Sequence, residues 1–191
     1  RLHNLIWYGN KMTDFKLIAS LFFFAAIISC QNAPHPPEQE KAPENESKLE
    51  QALIQANKSA IEEERYMIKR YIDRHNWDMD QTGSGIYYGI YEDGNGKKAE
   101  VGMVAAIDYT VELLNGYECY SSEKGEPKSF IIGQGNVESG LHKIMPYLQE
   151  GDRAKVIIPS HLAYGLAGDR KQIPPKSTLV YDLHVTDLQE R

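Results

Sequence analysis

Cysteine is scarce in this chain, with Cys30 and Cys119 the only two among 191 residues. That excludes a disulfide-stapled fold. Without a C-x-x-C or an H-E-x-x-H, the six scattered histidines outline no metal site. A basic excess is missing as well: 21 Lys+Arg stand against 27 Asp+Glu, a net charge of −6. This speaks against a nucleic-acid partner, because displacing counterions from phosphate takes clustered cations. No apolar run reaches the roughly 20 residues that a membrane-spanning helix requires. Neither a G-x-S-x-G nucleophile elbow nor a P-loop occurs. Gly133-Gln134-Gly135 with Gly140 imitates a dinucleotide loop, but Glu138 holds the third glycine's place and no βαβ pattern surrounds it. No cofactor is implied.

What is present is unevenly distributed. Lys11 and Lys16 precede Leu17–Ile28 (LIASLFFFAAII), apolar except for Ser20. Twelve such residues suit the h-region of a secretory signal; a buried helix would show a stripe, not a block. The run ends in Ile27-Ile28-Ser29-Cys30, which resembles the lipobox of bacterial lipoproteins. The resemblance implies a signal peptide over 1–29 and lipidation of Cys30, which anchors the mature chain to a membrane. Met12 is the expected start, with upstream sequence before it. Removing 1–29 takes away Arg1, Lys11, Lys16 and Asp14 and leaves a charge of −8. Cys119 then has no intramolecular partner, and beside Glu118 and Tyr120 it reads as buried and inert.

Residues 30–46 hold four prolines, four glutamates and no large apolar side chain. They cannot bury enough surface to offset their ordering entropy, so a solvated tether is expected. Residues 47–80 form a helical segment, with Leu49, Leu53, Ala56, Ala60, Ile61, Ile68 and Ile72 at spacings compatible with one face. Ser59 and Glu62 form a capping box at which the helix can restart. The segment either packs on its own domain or serves as a homodimerisation arm over 47–75; the pattern leaves both open.

From 81 to 191 the period changes. Ile86–Tyr91, Met103–Leu114, Phe130–Ile132, Ala154–Ile158 and Leu179–Val185 are strand candidates. Asn115-Gly116 is a strong hairpin signal. Val137, Leu141, Ile144 and Leu148 have helical spacing, so the expectation is an α+β domain with a helix covering one sheet face. Tyr164, Ile173-Pro174-Pro175, Tyr181 and Tyr109 read either as a shallow apolar pocket or as core and turn residues.

Several segments decide between these. Ile107–Thr110 (IDYT), Ser121-Ser122, Phe130–Gly133 (FIIG), Gly151–Lys155 (GDRAK), Ala163–Gly165 (AYG), Gly168, Ile173–Pro175 (IPP) and Thr178–Asp182 (TLVYD) occur in that order. Over 101–188 the chain resembles FKBP-type peptidyl-prolyl cis-trans isomerases. With its lipobox and preceding helix it is similar to the exported isomerase lipoproteins of Bacteroidetes, a gliding-motility-associated subgroup included. The resemblance implies a twisted antiparallel sheet wrapped on a short helix. It implies catalysis of X–Pro rotation in unfolded or exported proteins, at the periplasmic face of the outer membrane in the cell envelope. It places Tyr109, Val137, Leu141, Tyr164, Ile173 and Tyr181 on the pocket wall, with Leu141 at a floor usually occupied by Trp. It implies that Tyr164 donates its hydroxyl to a substrate carbonyl. Glu138 stands where an Ile contributes its backbone N–H, which Glu retains. The family's Phe-Asp before Ser-Ser is here Cys119-Tyr120, so the usual pocket carboxylate is missing, and neither Glu118 nor Asp169 inherits its role. A catalytically weak FKBP-fold chaperone or binding module is the competing expectation.

Overall fold

The computed structural model describes residues 44–122, 127–135 and 137–191, with side chains from residue 47. The expected signal stretch, Cys30 and the tether as far as residue 43 lie outside them. The chain divides after Leu49 into two units, and the second, Glu50–Arg191, contains the whole sheet and all but the first turns of one long helix.

That helix, α1, spans Glu44–His75 without interruption. It differs from the expected 47–80 segment at both ends. It begins inside the Pro/Glu-rich stretch, there is no restart at Ser59, and it stops where Asn76 takes a positive φ of 51°. The expected apolar face is only partly used. Ile68 and Tyr71 are buried against Tyr87, Ile157 and Val180, whereas Leu49, Leu53 and Ile61 are more than half exposed. The spacing of apolar residues thus located the helix, but not how much of it reaches the sheet. Glu64 fixes this docking. Its carboxylate accepts the Ser160 N–H (2.6 Å), the Ser160 hydroxyl (3.1 Å) and the Thr178 hydroxyl (2.6 Å).

Among the described residues the sheet has seven strands: β1 (Asp80–Gln81), β2 (Tyr87–Glu92), β3 (Val104–Leu113), β4 (Glu118–Ser121), β5 (Lys128–Ile131), β6 (Arg153–Ile158) and β7 (Leu179–Gln189). They are antiparallel in the order β1-β2-β6-β7-β3-β4, with β5 pairing to the first half of β3. The twisted antiparallel architecture expected from the sequence is observed. Strand side chains alternate between two faces. Ala154, Val156 and Ile158 of β6 and Leu179, Tyr181, Leu183 and Val185 of β7 enter the main core, while Ile157 and Val180 turn to α1.

The Asn115-Gly116 signal is a real turn. Leu113 and Tyr117 pair across it, with the Leu113 N–H donating to the Tyr117 carbonyl at 2.9 Å, and Gly116 takes φ +83°. The internal helix is shorter than 137–148. Helix α2 covers Ser139–Ile144, and Pro146 then imposes a 3₁₀ turn over Met145–Tyr147, leaving Val137 and Leu148 outside the α-helix. Leu141, Ile144 and Met145 carry it into the core. Gly140 faces Ile158 so closely that a Cβ would collide with that side chain, which explains a helix breaker inside a helix. No helix among the described residues is long and apolar enough to cross a membrane.

Candidate active site

The site is assembled by strand ends and loops on the α2 side of the sheet. Strand alternation turns Tyr109 of β3 and Tyr181 of β7 toward the same side, with ring centroids 6.0 Å apart and planes inclined by 45°. Tyr164 comes just after the 3₁₀ turn Ser160–Leu162. Glu138 precedes α2, and its backbone carbonyl accepts the Leu141 N–H at 3.0 Å. Leu141 is 1 % exposed and belongs to the main core, as does Ile173 from the loop before β7; Val137 and Tyr164 pack on that core from outside.

At the centre lies the Glu138 side chain. It is 8 % exposed. Its Oε1 accepts the Tyr164 hydroxyl at 2.6 Å and the Tyr181 hydroxyl at 2.9 Å. Its Oε2 is buried and has no hydrogen-bond partner among the described residues. The carboxylate reshapes the acidity of the phenols around it. Burial first, then the hydrogen bond and charge of Glu138, raise Tyr164 far above an ordinary phenol. Tyr181 is raised likewise, by burial and then by the charge of Glu138, and Tyr109 by burial and the same charge. The sequence pointed only to the backbone N–H of Glu138 and did not reveal the inward carboxylate. An acidic residue just before a short helix ordinarily reads as a solvent-facing N-terminal group. No local signal reverses that reading.

A second carboxylate orders the lip. The Tyr120 hydroxyl donates to Asp169 Oδ2, while Asp169 Oδ1 accepts the N–H groups of Lys171 and Ile173, both at 2.8 Å. Burial pushes Asp169 up, but the Tyr120 phenol and these N–H groups outweigh it and hold the carboxyl below its usual range. The lip loop closes over Gly168, which has φ +63°, and a Cβ there would meet the Ile173 carbonyl. Tyr120 therefore stands at the site as the partner of Asp169. Cys119 is different: it is buried and free, its thiol directed at the carbonyls of Tyr117 and Gln172, both at 3.8 Å. Burial and the charge of Asp169 raise its pKa, which keeps it a thiol.

Among the described residues no cluster of His, Cys, Asp or Glu could hold a metal ion. Two surface cavities of about 480 and 380 Å³ lie on the α1 side of the sheet around Trp77, Lys155 and Asp182, away from these phenols. What the site offers chemically is a desolvated spot with two hydroxyl donors and a carboxylate, rather than a nucleophile.

Comparison with known proteins points to one family. Residues 95–186 match the sequence model of the FKBP-type peptidyl-prolyl cis-trans isomerases. FK506-binding protein 1 of Debaryomyces hansenii is 39 % identical over 101 residues, which are 52 % of this chain and 90 % of that protein. FkpA of Escherichia coli is 33 % identical over 109 residues, 56 % of this chain but 39 % of FkpA, so the match spans well under half of that relative. Among solved structures, a peptidyl-prolyl cis-trans isomerase from Pseudomonas syringae pv. tomato superposes with a TM-score of 0.60 at 22 % identity, covering 70 % of this chain and 96 % of its own. That is a likeness of fold.

Proposed function

Because the chain belongs to the FKBP-type peptidyl-prolyl cis-trans isomerase family, we propose that it catalyses rotation about X–Pro bonds of exported proteins and assists their folding in the cell envelope. The observation that carries this reading is the convergence of Tyr109, Tyr164 and Tyr181 beside buried Leu141 and Ile173, from separate segments onto one desolvated spot. Uncatalysed, the X–Pro bond turns over in roughly 10–100 s, because resonance maintains a high C–N rotation barrier. Rotation transfers neither a proton nor a group. What helps is an environment that disfavours the planar, charge-separated amide relative to the twisted transition state, and each 1.36 kcal/mol gained only there is worth about tenfold. In this site Leu141 and Ile173 exclude water. The Tyr164 hydroxyl and the Glu138 backbone N–H are the donors that hold the substrate carbonyls.

Proline-limited refolding of a model protein tests the reading. Substoichiometric addition of the protein accelerates the slow phase, and Tyr164→Phe lowers kcat/KM by about tenfold, the worth of one transition-state hydrogen bond. A slow phase unchanged by the intact protein overturns it. The engagement of the Tyr164 and Tyr181 hydroxyls by Glu138 favours a second reading, a weakly catalytic module that holds unfolded clients. That module suppresses aggregation of a proline-free client without changing the slow phase.

The order Lys11, Lys16, apolar run, Cys30 supports a lipid anchor at the periplasmic face of the outer membrane. The resemblance to exported Bacteroidetes lipoproteins, the gliding-motility subgroup among them, points the same way. Exposed Leu53, Ile54 and Ile61 on α1 support a homodimer through residues 47–75. Cys30→Ser moves the protein to the soluble fraction, where light scattering reads a dimer. Retention in the membrane fraction overturns the anchor, and a monomer mass overturns the arm.

A further inference from the structure

Half of the Glu138 carboxylate is unanswered. Oε1 receives two phenol hydrogens, while Oε2, equally buried, receives none among the described residues. A buried acceptor without a donor is costly, and a buried charge without a counter-charge more so. Arg65, Arg153 and Lys155 pair with Glu62, Glu92 and Asp182 instead of with Glu138. The nearby charges leave it unpaired. Lys128 places its ammonium 5.7 Å from the Tyr109 ring centre, as a cation–π contact on the site's edge. Arg170 and Lys171 come directly after Asp169 on the exposed lip. Asp169, the other carboxylate whose charge reaches Tyr164, is already satisfied by Tyr120 and two backbone N–H groups.

The missing donor cannot come from proline, whose nitrogen in a peptide carries no hydrogen. Nor can it come from the substrate carbonyl, which competes with Glu138 for the Tyr164 hydroxyl and is repelled by the carboxylate. It can come from a side chain beside the proline. The carbonyl of the isomerising bond belongs to the residue before proline, so a carbonyl held at Tyr164 sets that residue beside the carboxylate 2.6 Å from the Tyr164 hydroxyl, and the buried carboxylate meets its side chain by turning off the phenols. Lys or Arg there supplies both a hydrogen and a charge. It draws the carboxylate off Tyr164 and frees the hydroxyl for the carbonyl. We propose that Glu138 is a specificity-determining residue that selects X–Pro bonds in which X is Lys or Arg. The proposal rests on the isomerase reading, which brings the X–Pro carbonyl to Tyr164.

The test is a peptide series Ala-X-Pro-Phe with X = Lys, Leu or Glu, assayed against the intact protein, Glu138→Gln and Glu138→Ile. Both kcat/KM and the affinity read from NMR titration are measured. In the unmodified protein Lys-Pro exceeds Leu-Pro by about tenfold, the scale of one partly desolvated charge pair, and Glu-Pro is poorest. Glu138→Gln keeps the shape and the acceptor for both phenols, and brings the Lys/Leu ratio close to one. Glu138→Ile reverses it in favour of Leu-Pro. A Lys/Leu affinity ratio that is the same in the intact protein and Glu138→Gln overturns the proposal. If no peptide is isomerised by any of the three proteins while the affinity ratio follows Glu138, the isomerase reading fails and the selectivity stands. Should Glu138→Ile fail to fold, the Gln variant decides alone.

Discussion

Leu141→Ala should destabilise the protein by about 3 kcal/mol and lower its thermal midpoint by roughly 10 °C. Leu141 is 1 % exposed and anchors α2, only six residues long, in the main core with Ile144 and Met145. Removing three carbons leaves a void that such a short element cannot close by shifting, because Gly140 already sits against Ile158 on the same helix. The lost transfer energy and the residual cavity therefore both count against the alanine variant. Leu141→Met keeps the volume and should cost less than about 1.5 kcal/mol. Urea unfolding of the two variants measures the difference. A change below about 1 kcal/mol for the alanine variant would show that α2 is not held by this side chain. The same substitution enlarges the floor of the site, so a loss of prolyl-peptide affinity should accompany the loss of stability.

Asp152→Ala should be comparably damaging, at about 3 kcal/mol. This carboxylate is 1 % exposed. Its Oδ1 accepts the Gly94 N–H at 2.7 Å and its Oδ2 the Gln149 N–H at 2.8 Å, tying the loop after β2 to the turn before β6. Alanine removes the acceptor of both half-buried backbone N–H groups, and the close packing there leaves little room to rearrange. A Cβ on Gly94 would already run into the Glu150 carbonyl, so the two turns touch backbone to backbone. Asp152→Asn retains one acceptor and presents an amide hydrogen to the other donor, and should lie between the two. Equilibrium denaturation again decides, and an alanine variant within about 1 kcal/mol of the parent would mean that water satisfies these donors. The Asp152 carboxylate bonds Gly94 and Gln149 and none of the site's phenols, so this loss should appear in stability with the Lys-Pro to Leu-Pro preference unchanged.

Much of the fold was legible because its signals are local. Asn115-Gly116 announced a hairpin, since the left-handed conformation its turn requires is cheap only for such residues. The apolar, β-prone runs of β6 and β7 located strands that bury one face in the main core and, at Ile157 and Val180, part of the other against α1. The order of AYG, IPP and TLV identified the family because those loops shape the lip around Tyr164, Ile173 and Tyr181. The extent of α1's buried face was not legible. Leu53 and Ile68 obey the same helical period, yet only Ile68 lies over Tyr87, Ile157 and Val180. Amphipathic spacing states that a face exists, and the geometry of the partner decides how far along it burial runs.

The sequence by itself determined the class of domain, the places of five of the seven strands described (β1 and β4 are not among the strand candidates) and the residue types available to the site. Each of these depends on a residue and its near neighbours. Only the tertiary structure decided what the carboxylates do. Glu138 acquires its role from Tyr164, 26 positions away, and Tyr181, 43 away; Asp169 acquires its role from Tyr120, 49 away. Tyr120 leaves the usual pocket carboxylate missing, and Glu138 brings a carboxylate in from the α2 side of the site. A side chain's burial and hydrogen-bond partners are set by what the rest of the chain brings to it, and that information is spread over segments far apart along the polymer.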